Sequence, residues 1–343
     1  MSLHSMNIQK NNLDQRFNIR MWLQQLGPLL ALFLVTLGFA IADQVWGQGR
    51  FIEIRNARVI LVFTAPVAVA ALGMTLIIMT GGIDLSAGTA SMLCATVLAC
   101  TLNADFPVSL SVLAAVGTGA VCGAINGLLI GVLRIPPFIV TLGSMTVFLG
   151  IAKHLANSST VFVDRQKIPE WLSKFTSTAP PHWYGWFPSI STGVWFALAI
   201  SVLVALILSL TVFGRHVLAV GSNEATARLC GVNVFQTKLI VYALAGVLFG
   251  IAGLYSFSLL RMANPGEGIG KELKFIAAVV IGGGSLSGGR GSVLGTLAGA
   301  TIMGVISSGC DQLGVANATQ DIMIGVIIIA AVSVDQFRSR KQD

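Results

Sequence analysis

The sequence predicts an all-α polytopic membrane protein with about ten transmembrane helices, on the strength of three observations. Hydrophobic residues make up 55% of the 343 residues, while charged residues make up only 10%, against roughly 25% in an ordinary soluble domain. Mean hydropathy is +0.82. The apolar residues also gather in long runs, and a hydrocarbon layer about 30 Å thick needs roughly 20 apolar residues per helical crossing. A water-soluble core of this size stops growing well before it hides so much apolar surface. So many crossings leave no room for a soluble domain.

Six runs are clear: 26–45, 59–79, 108–133, 138–156, 193–213 and 239–260. Two more, 87–102 and 293–309, are slightly short, and 275–286 and 322–334 are too short to cross alone. The last two either extend through their polar flanks or form broken helices held among the others, where irregular backbone is tolerated. Ala40-Ile41-Ala42 matches a small-x-small cleavage pattern, but the polar leader is long for a signal peptide and the run is long enough to span. The first run is therefore expected to be retained.

Alternation over an even number of crossings puts both ends of the chain on the same side. The basic residues Lys10, Arg16 and Arg20, with Arg338, Arg340 and Lys341 at the other end, mark that side as cytoplasmic. The rest of the basic residues fall almost evenly on the two sides and orient nothing. The organisation expected is a cytoplasmic segment 1–25, a membrane domain 26–336 and a cytoplasmic tail 337–343. Within the membrane domain, 157–190 lies outside and 214–238 lies inside. The outer segment carries Trp171, Trp183, Tyr184 and Trp186, and is read as an interfacial aromatic belt in preference to a docking surface.

Several functions are excluded or disfavoured. The net charge of +7 suggests nucleic acid, but the basic residues are scattered singly between apolar runs, without the clustered face such binding needs. Five cysteines (Cys94, Cys100, Cys122, Cys230, Cys310) show no C-x-x-C spacing and read as small buried hydrophobes, so no metal or other cofactor is expected. No G-x-x-x-x-G-K-[ST] loop occurs, and the glycine run 282–291 lacks the lysine and hydroxyl that cradle phosphates. The chain is thus no ATPase. Acidic residues, which proton- or sodium-coupled carriers place in their spans, are nearly absent there, and no constellation for a membrane-embedded enzyme appears.

Glycine is placed with a period. Gly119, Gly123, Gly127 and Gly131 recur every fourth residue, and Gly246/Gly250 and Gly295/Gly299 repeat the spacing. Such stripes let helix backbones approach closely. Gly81-Gly82-Ile83-Asp84-Leu85-Ser86-Ala87-Gly88 is faintly echoed by Gly283-Gly284-Ser285-Leu286-Ser287-Gly288, a pattern open to an internal pseudo-repeat, such as the inverted repeats of transporters, and equally to chance.

Polar groups in or beside the spans are Asp84, Ser86, Asn126, Thr141 and Ser144. They either line a cavity that binds a polar cargo or hydrogen-bond between helices. Asp84 or Ser86 is also placed to cap the helix that follows. The inner segment 213–233 reads as one short helix with marked ends: Ser222 or Asn223 as cap, Glu224 in the first turn, Arg228 paired at i+4, and Gly231 as a left-handed stop. A capped, charged helix between two spans is a handle for a soluble partner.

Here a resemblance enters. Residues 213–233 resemble the cytoplasmic coupling loop of bacterial sugar ABC importer permeases of the ribose, xylose and galactoside group. Residues 81–88 resemble that family's first signature, and Pro137-Phe138-Ile139-Val140-Thr141-Leu142-Gly143 its second. Glu272-Leu273 with 276–280, through Gly288-Gly289-Arg290-Gly291-Ser292, resembles its C-terminal block. The similarity spans roughly 55–335. Departures are Lys274-Phe275 where the family often has Asp-Ala, Leu149 where an Arg is common, and Ala87 for a frequent Val. They put the cargo in question rather than the energy coupling.

The resemblance implies a type II ABC importer-like permease in the bacterial inner membrane. Its partners would be a cytoplasmic ABC ATPase, a second permease copy or paralogue, and a periplasmic sugar-binding protein. ATPase coupling would fall to Arg215, Gly221, Asn223, Glu224, Ala227, Arg228 and Gly231. A permease of the same architecture that imports a nucleoside or a branched-chain amino acid is the alternative.

Overall fold

In the computed structural model, residues 26–178 and 190–339 are described. The expected segment 1–25, the residues Trp183, Tyr184 and Trp186, and the basic residues Arg340 and Lys341 lie outside them. Seven of the described helices are long and apolar enough to cross a membrane: α1 (Leu26–Trp46), α2 (Ile54–Met79), α4 (Val108–Leu133), α5 (Pro137–Leu155), α7 (Thr192–Leu210), α10 (Val234–Leu260) and α12 (Val293–Gln312). Three shorter or less apolar helices join them: α3 (Ala87–Asn103), α11 (Lys271–Ile281) and α13 (Asn317–Ser339). Small helices α6 (Glu170–Lys174), α8 (Val212–Ser222) and α9 (Glu224–Leu229) lie between the long ones.

The two runs too short to cross resolve differently. The run 322–334 extends through both polar flanks into the 23 residues of α13. α11 stays at 11 residues, about 16 Å at 1.5 Å per residue, well short of the hydrocarbon thickness. Its start lies against the start of α3. A Cβ on Gly88 would overlap the Gly268 carbonyl oxygen and come within 2.5 Å of Glu272 Oε2. The Glu272 carboxylate accepts the Gly270 amide at 3.0 and 3.1 Å, so it satisfies a free N–H at that helix start.

α2 and α10 form the centre. Val69, Leu72, Met74 and Ile77 of α2 pack with Tyr242, Phe249 and Tyr255 of α10, all essentially without solvent contact. The outer faces of α4, α5 and α7 stay apolar yet exposed, as at Leu113, Leu142 and Val202. Lipid, not water, suits such a surface.

The glycine stripes meet one another. A Cβ on Gly119 would overlap the Gly246 carbonyl oxygen, and one on Gly123 the Tyr242 carbonyl oxygen. On the other side Gly295 abuts Gly282, and Gly299 abuts Ala278. These contacts are backbone against backbone, the close approach that the four-residue period predicted.

At one end of the bundle a two-stranded antiparallel ladder joins β1 (Val161–Phe162) to β2 (Met262–Ala263). The segment around α6 is pinned there by Ser258 Oγ, which donates to the Leu172 carbonyl at 2.6 Å, and by the Lys167–Asp105 ion pair at 2.8 Å. Trp171 is half-exposed on this segment.

Candidate functional site: the α8–α9 segment and the loop beneath it

The segment between α7 and α10 departs from the single short helix expected. α8 precedes α9, and the two are separated by Asn223 alone. α8 starts where Thr211 Oγ1 accepts the Gly214 amide at 3.2 Å. Gly214 and Gly221, which suggest loop in the sequence, are required by contact. A Cβ on Gly214 would overlap the Leu208 carbonyl oxygen. One on Gly221 would overlap the Met79 carbonyl oxygen and lie 2.6 Å from the Gly289 nitrogen.

Between the two caps proposed for α9, the structure selects Asn223, whose Oδ1 accepts the Thr226 amide at 2.9 Å; Ser222 ends α8. Glu224 Oε1 accepts from Arg228 Nη2 at 3.0 Å, as the i+4 spacing predicted, and Oε2 accepts from Lys238 Nζ at 2.6 Å. Lys238, on the first turns of α10, is a partner that local spacing in the sequence does not signal. Burial pushes the Glu224 carboxyl up, but its bonds to Lys238 and Arg228 outweigh this and hold it below the usual range. It therefore stays ionised at neutral pH.

Gly231 adopts φ +84° with nothing within 4 Å of a would-be Cβ. Its amide bonds to the Arg228 carbonyl, and that of Val232 to the Ala227 carbonyl, the double closure of a left-handed helix end. Ala227 is buried against Val220 and Val234, which ties α9 to both its neighbours. Arg215 is exposed on α8. At the tip Leu229 is 88% exposed, followed by exposed Cys230 and Gly231. An apolar side chain held so far out is a candidate anchor, and only the fold reveals it.

α8 rests on the end of α2 and the loop 282–292, where Gly221 meets Met79 and Gly289. Gly289 N donates to the Met79 carbonyl at 3.0 Å, and a Cβ on Gly288 would fall within 2.6 Å of the Gly221 oxygen and 3.0 Å of Gly81 Cα. The two echoed glycine motifs therefore touch, Gly288 bringing the second against Gly81 in the loop 80–86, whereas Gly81 and Gly283 answer to φ of +78° and +88°.

The loop is held from within by the polar residues singled out above. Asp84 Oδ1 accepts the Ser86 amide at 2.8 Å and Ser86 Oγ at 2.6 Å. Asn126 Nδ2 donates to Ser86 Oγ at 2.9 Å and lies 3.4 Å from Asp84 Oδ2. Thr141 Oγ1 accepts the Leu85 amide at 3.1 Å from the other side. Ser144 bonds only to carbonyls of its own helix. The expected cap of α3 does not form: Ser86 makes no side-chain cap bond, its hydroxyl being engaged by Asp84 and Asn126, and Asp84 turns onto Ser86 rather than onto a first-turn amide. All five residues are buried, and Asn126 Oδ1 and Tyr242 OH have no hydrogen-bond partner among the described residues.

The sequence matches the family model described as branched-chain amino acid transport system / permease component over residues 56–332. It is 36% identical over 326 residues to the ribose import permease protein RbsC of Escherichia coli K12, which covers 94% of this chain and 96% of the relative. It is 35% identical to the fructose import permease protein FrcC of Rhizobium meliloti (90% and 84% covered), and 36% identical to RbsC of Bacillus subtilis (92% and 94%).

Proposed function

The chain belongs to the family of branched-chain amino acid transport system permease components, and from that premise we propose that it forms the membrane pathway of an ATP-driven importer whose cargo is a sugar. One observation carries the cargo class: relatives named for ribose and fructose import align over nearly the whole chain at about 36% identity. They favour a sugar over the amino acid in the family's description. Energy comes from a separate ATPase on the cytoplasmic face, where α9 is the handle and Leu229 its anchor. A second permease copy or paralogue completes the pathway, and a periplasmic binding protein delivers the sugar. Binding of that donor and of ATP, each favouring a different conformation, shifts the permease between outward and inward states. Asp84, Ser86, Asn126 and Thr141 either contact the sugar or hold loop 80–86 against α4 and α5, and Ser144 either contacts the sugar or serves only its own helix.

Purification from the native membrane tests the division of labour. The isolated chain is expected to hydrolyse no ATP, and hydrolysis is expected to appear when the co-purifying ATPase is retained. Leu229→Asp is expected to lower the recovered ATPase about tenfold, as loss of one buried anchor does. Hydrolysis by the chain alone, or full ATPase recovery with Leu229→Asp, contradicts the proposal. Its orientation in the inner membrane, with both termini in the cytoplasm, is tested by reporter fusions at Asp343 and within residues 157–190, which are expected to give opposite signals. Identical signals refute it.

A further inference from the structure

A cleft of about 610 Å³ opens beside α9, between the end of α4 and the starts of α5 and α10. Its charged lining is Arg134, Arg228, Lys238 and Glu224, with Pro136 and Pro137 along one wall. Glu224 is bonded to both Arg228 and Lys238, so one carboxylate faces three cations. Among the described residues no ion pair involves Arg134. The N-terminal turn of α5 also opens here, with Pro136 at its cap position and no side chain capping it, so its dipole adds to the positive field.

We propose that this cleft binds the phosphate-bearing head group of an anionic phospholipid. The placement of Arg134 selects a lipid over a soluble acidic partner. It sits in the three-residue connection between the spans α4 and α5, too short to leave the membrane–water boundary where lipid phosphates lie. Leu133, Phe138 and Ile139 beside it are exposed and continue into the hydrocarbon layer, a shelf on which acyl chains rest. Basic pockets between the cytoplasmic ends of membrane helices take anionic head groups by this combination of charge and apolar flank. The inference requires only that the chain spans a membrane, not any particular cargo or ATPase.

Native mass spectrometry of the full chain with phosphatidylglycerol and phosphatidylcholine tests it. Phosphatidylglycerol is expected to bind the wild type preferentially. Arg134→Gln is expected to weaken that binding about fivefold, the effect of one basic group near a charged surface, with phosphatidylcholine unaffected. Arg134→Lys is expected to restore most of it, and soluble glycerol phosphate is expected not to displace the lipid. Equal binding of the two lipids, or equal phosphatidylglycerol binding by wild type and Arg134→Gln, overturns the proposal. So does an Arg134→Gln variant that keeps its lipid but loses the ATPase in lipid-free detergent, which would make the cleft a protein contact. Because lipid binding is read on the chain alone, its failure is distinguishable from failure of the importer proposal.

Discussion

Replacing Gly221 by alanine is expected to prevent the permease from reaching its native packing. The added methyl would overlap the Met79 carbonyl oxygen and stand 2.6 Å from the Gly289 nitrogen. Both are backbone atoms, so no side-chain rotation relieves the clash. Either α8 lifts from Met79 and Gly289, or the methyl wedges apart the Gly289–Met79 hydrogen bond. Overpacking of this kind costs about 1–3 kcal/mol, and here a buried backbone bond adds to it. Thermal unfolding in detergent is expected to shift downward, and uptake to fall with the amount of folded protein. An alanine variant with unchanged melting and uptake would show that α8 does not rest on Met79 and Gly289.

Gly231→Val is expected to behave in the opposite way, with normal insertion, abundance and melting but no uptake. A side chain at Gly231 meets open space, so packing is untouched. The penalty is conformational: φ is +84°, where a β-branched residue is a rare outlier. The left-handed stop is then distorted, and the turn at residues 229–231 shifts while Val234 stays packed on Ala227. Leu229 is displaced from the position at which a partner would receive it. ATPase activity in the complex is expected to persist without stimulation by the binding protein, or the ATPase is expected to be lost on purification. Normal uptake by Gly231→Val would reduce α9 to a surface turn.

Most of the membrane architecture is legible along the sequence because lipid imposes a length on each crossing. The run 108–133 is α4 to the residue. The run beginning at 239 starts late because the first turn of α10 carries Gln236, Thr237 and Lys238, and Asn233 caps it through the Gln236 amide at 3.1 Å. α8 is illegible for the converse reason. Gly214, Arg215, His216 and Gly221 suggest a loop to any local rule, whereas Gly214 answers to Leu208 across the α7–α8 bend and Gly221 to Met79, which only the fold brings near. α9 is legible because its cap, its i+4 pair and its stop are all local. The exposure of Leu229 and Lys238 as the second partner of Glu224 are tertiary facts without a local signal. The turn of Asp84 onto Ser86 is local, and what lacks a local signal there is the bond from Asn126, 40 residues further along the chain than Ser86.

The seat of α8 on Met79 and Gly289 also decides how stiffly the segment is geared to the membrane helices. Most helix contacts are cushioned by side chains, whose rotamers absorb small displacements before the next element moves. Under Gly221 there is no such cushion, since main chain touches main chain and the only adjustable quantities are bond angles and hydrogen-bond lengths. A shift of α8 by a fraction of an ångström therefore reaches the end of α2 and the loop 282–292 with almost no backlash. From that loop it passes to α11 and α12, which it connects. Beyond the packing that α8 contributes, the value of this joint is its low compliance, which makes the short α8–α9 arm a direct linkage rather than a spring.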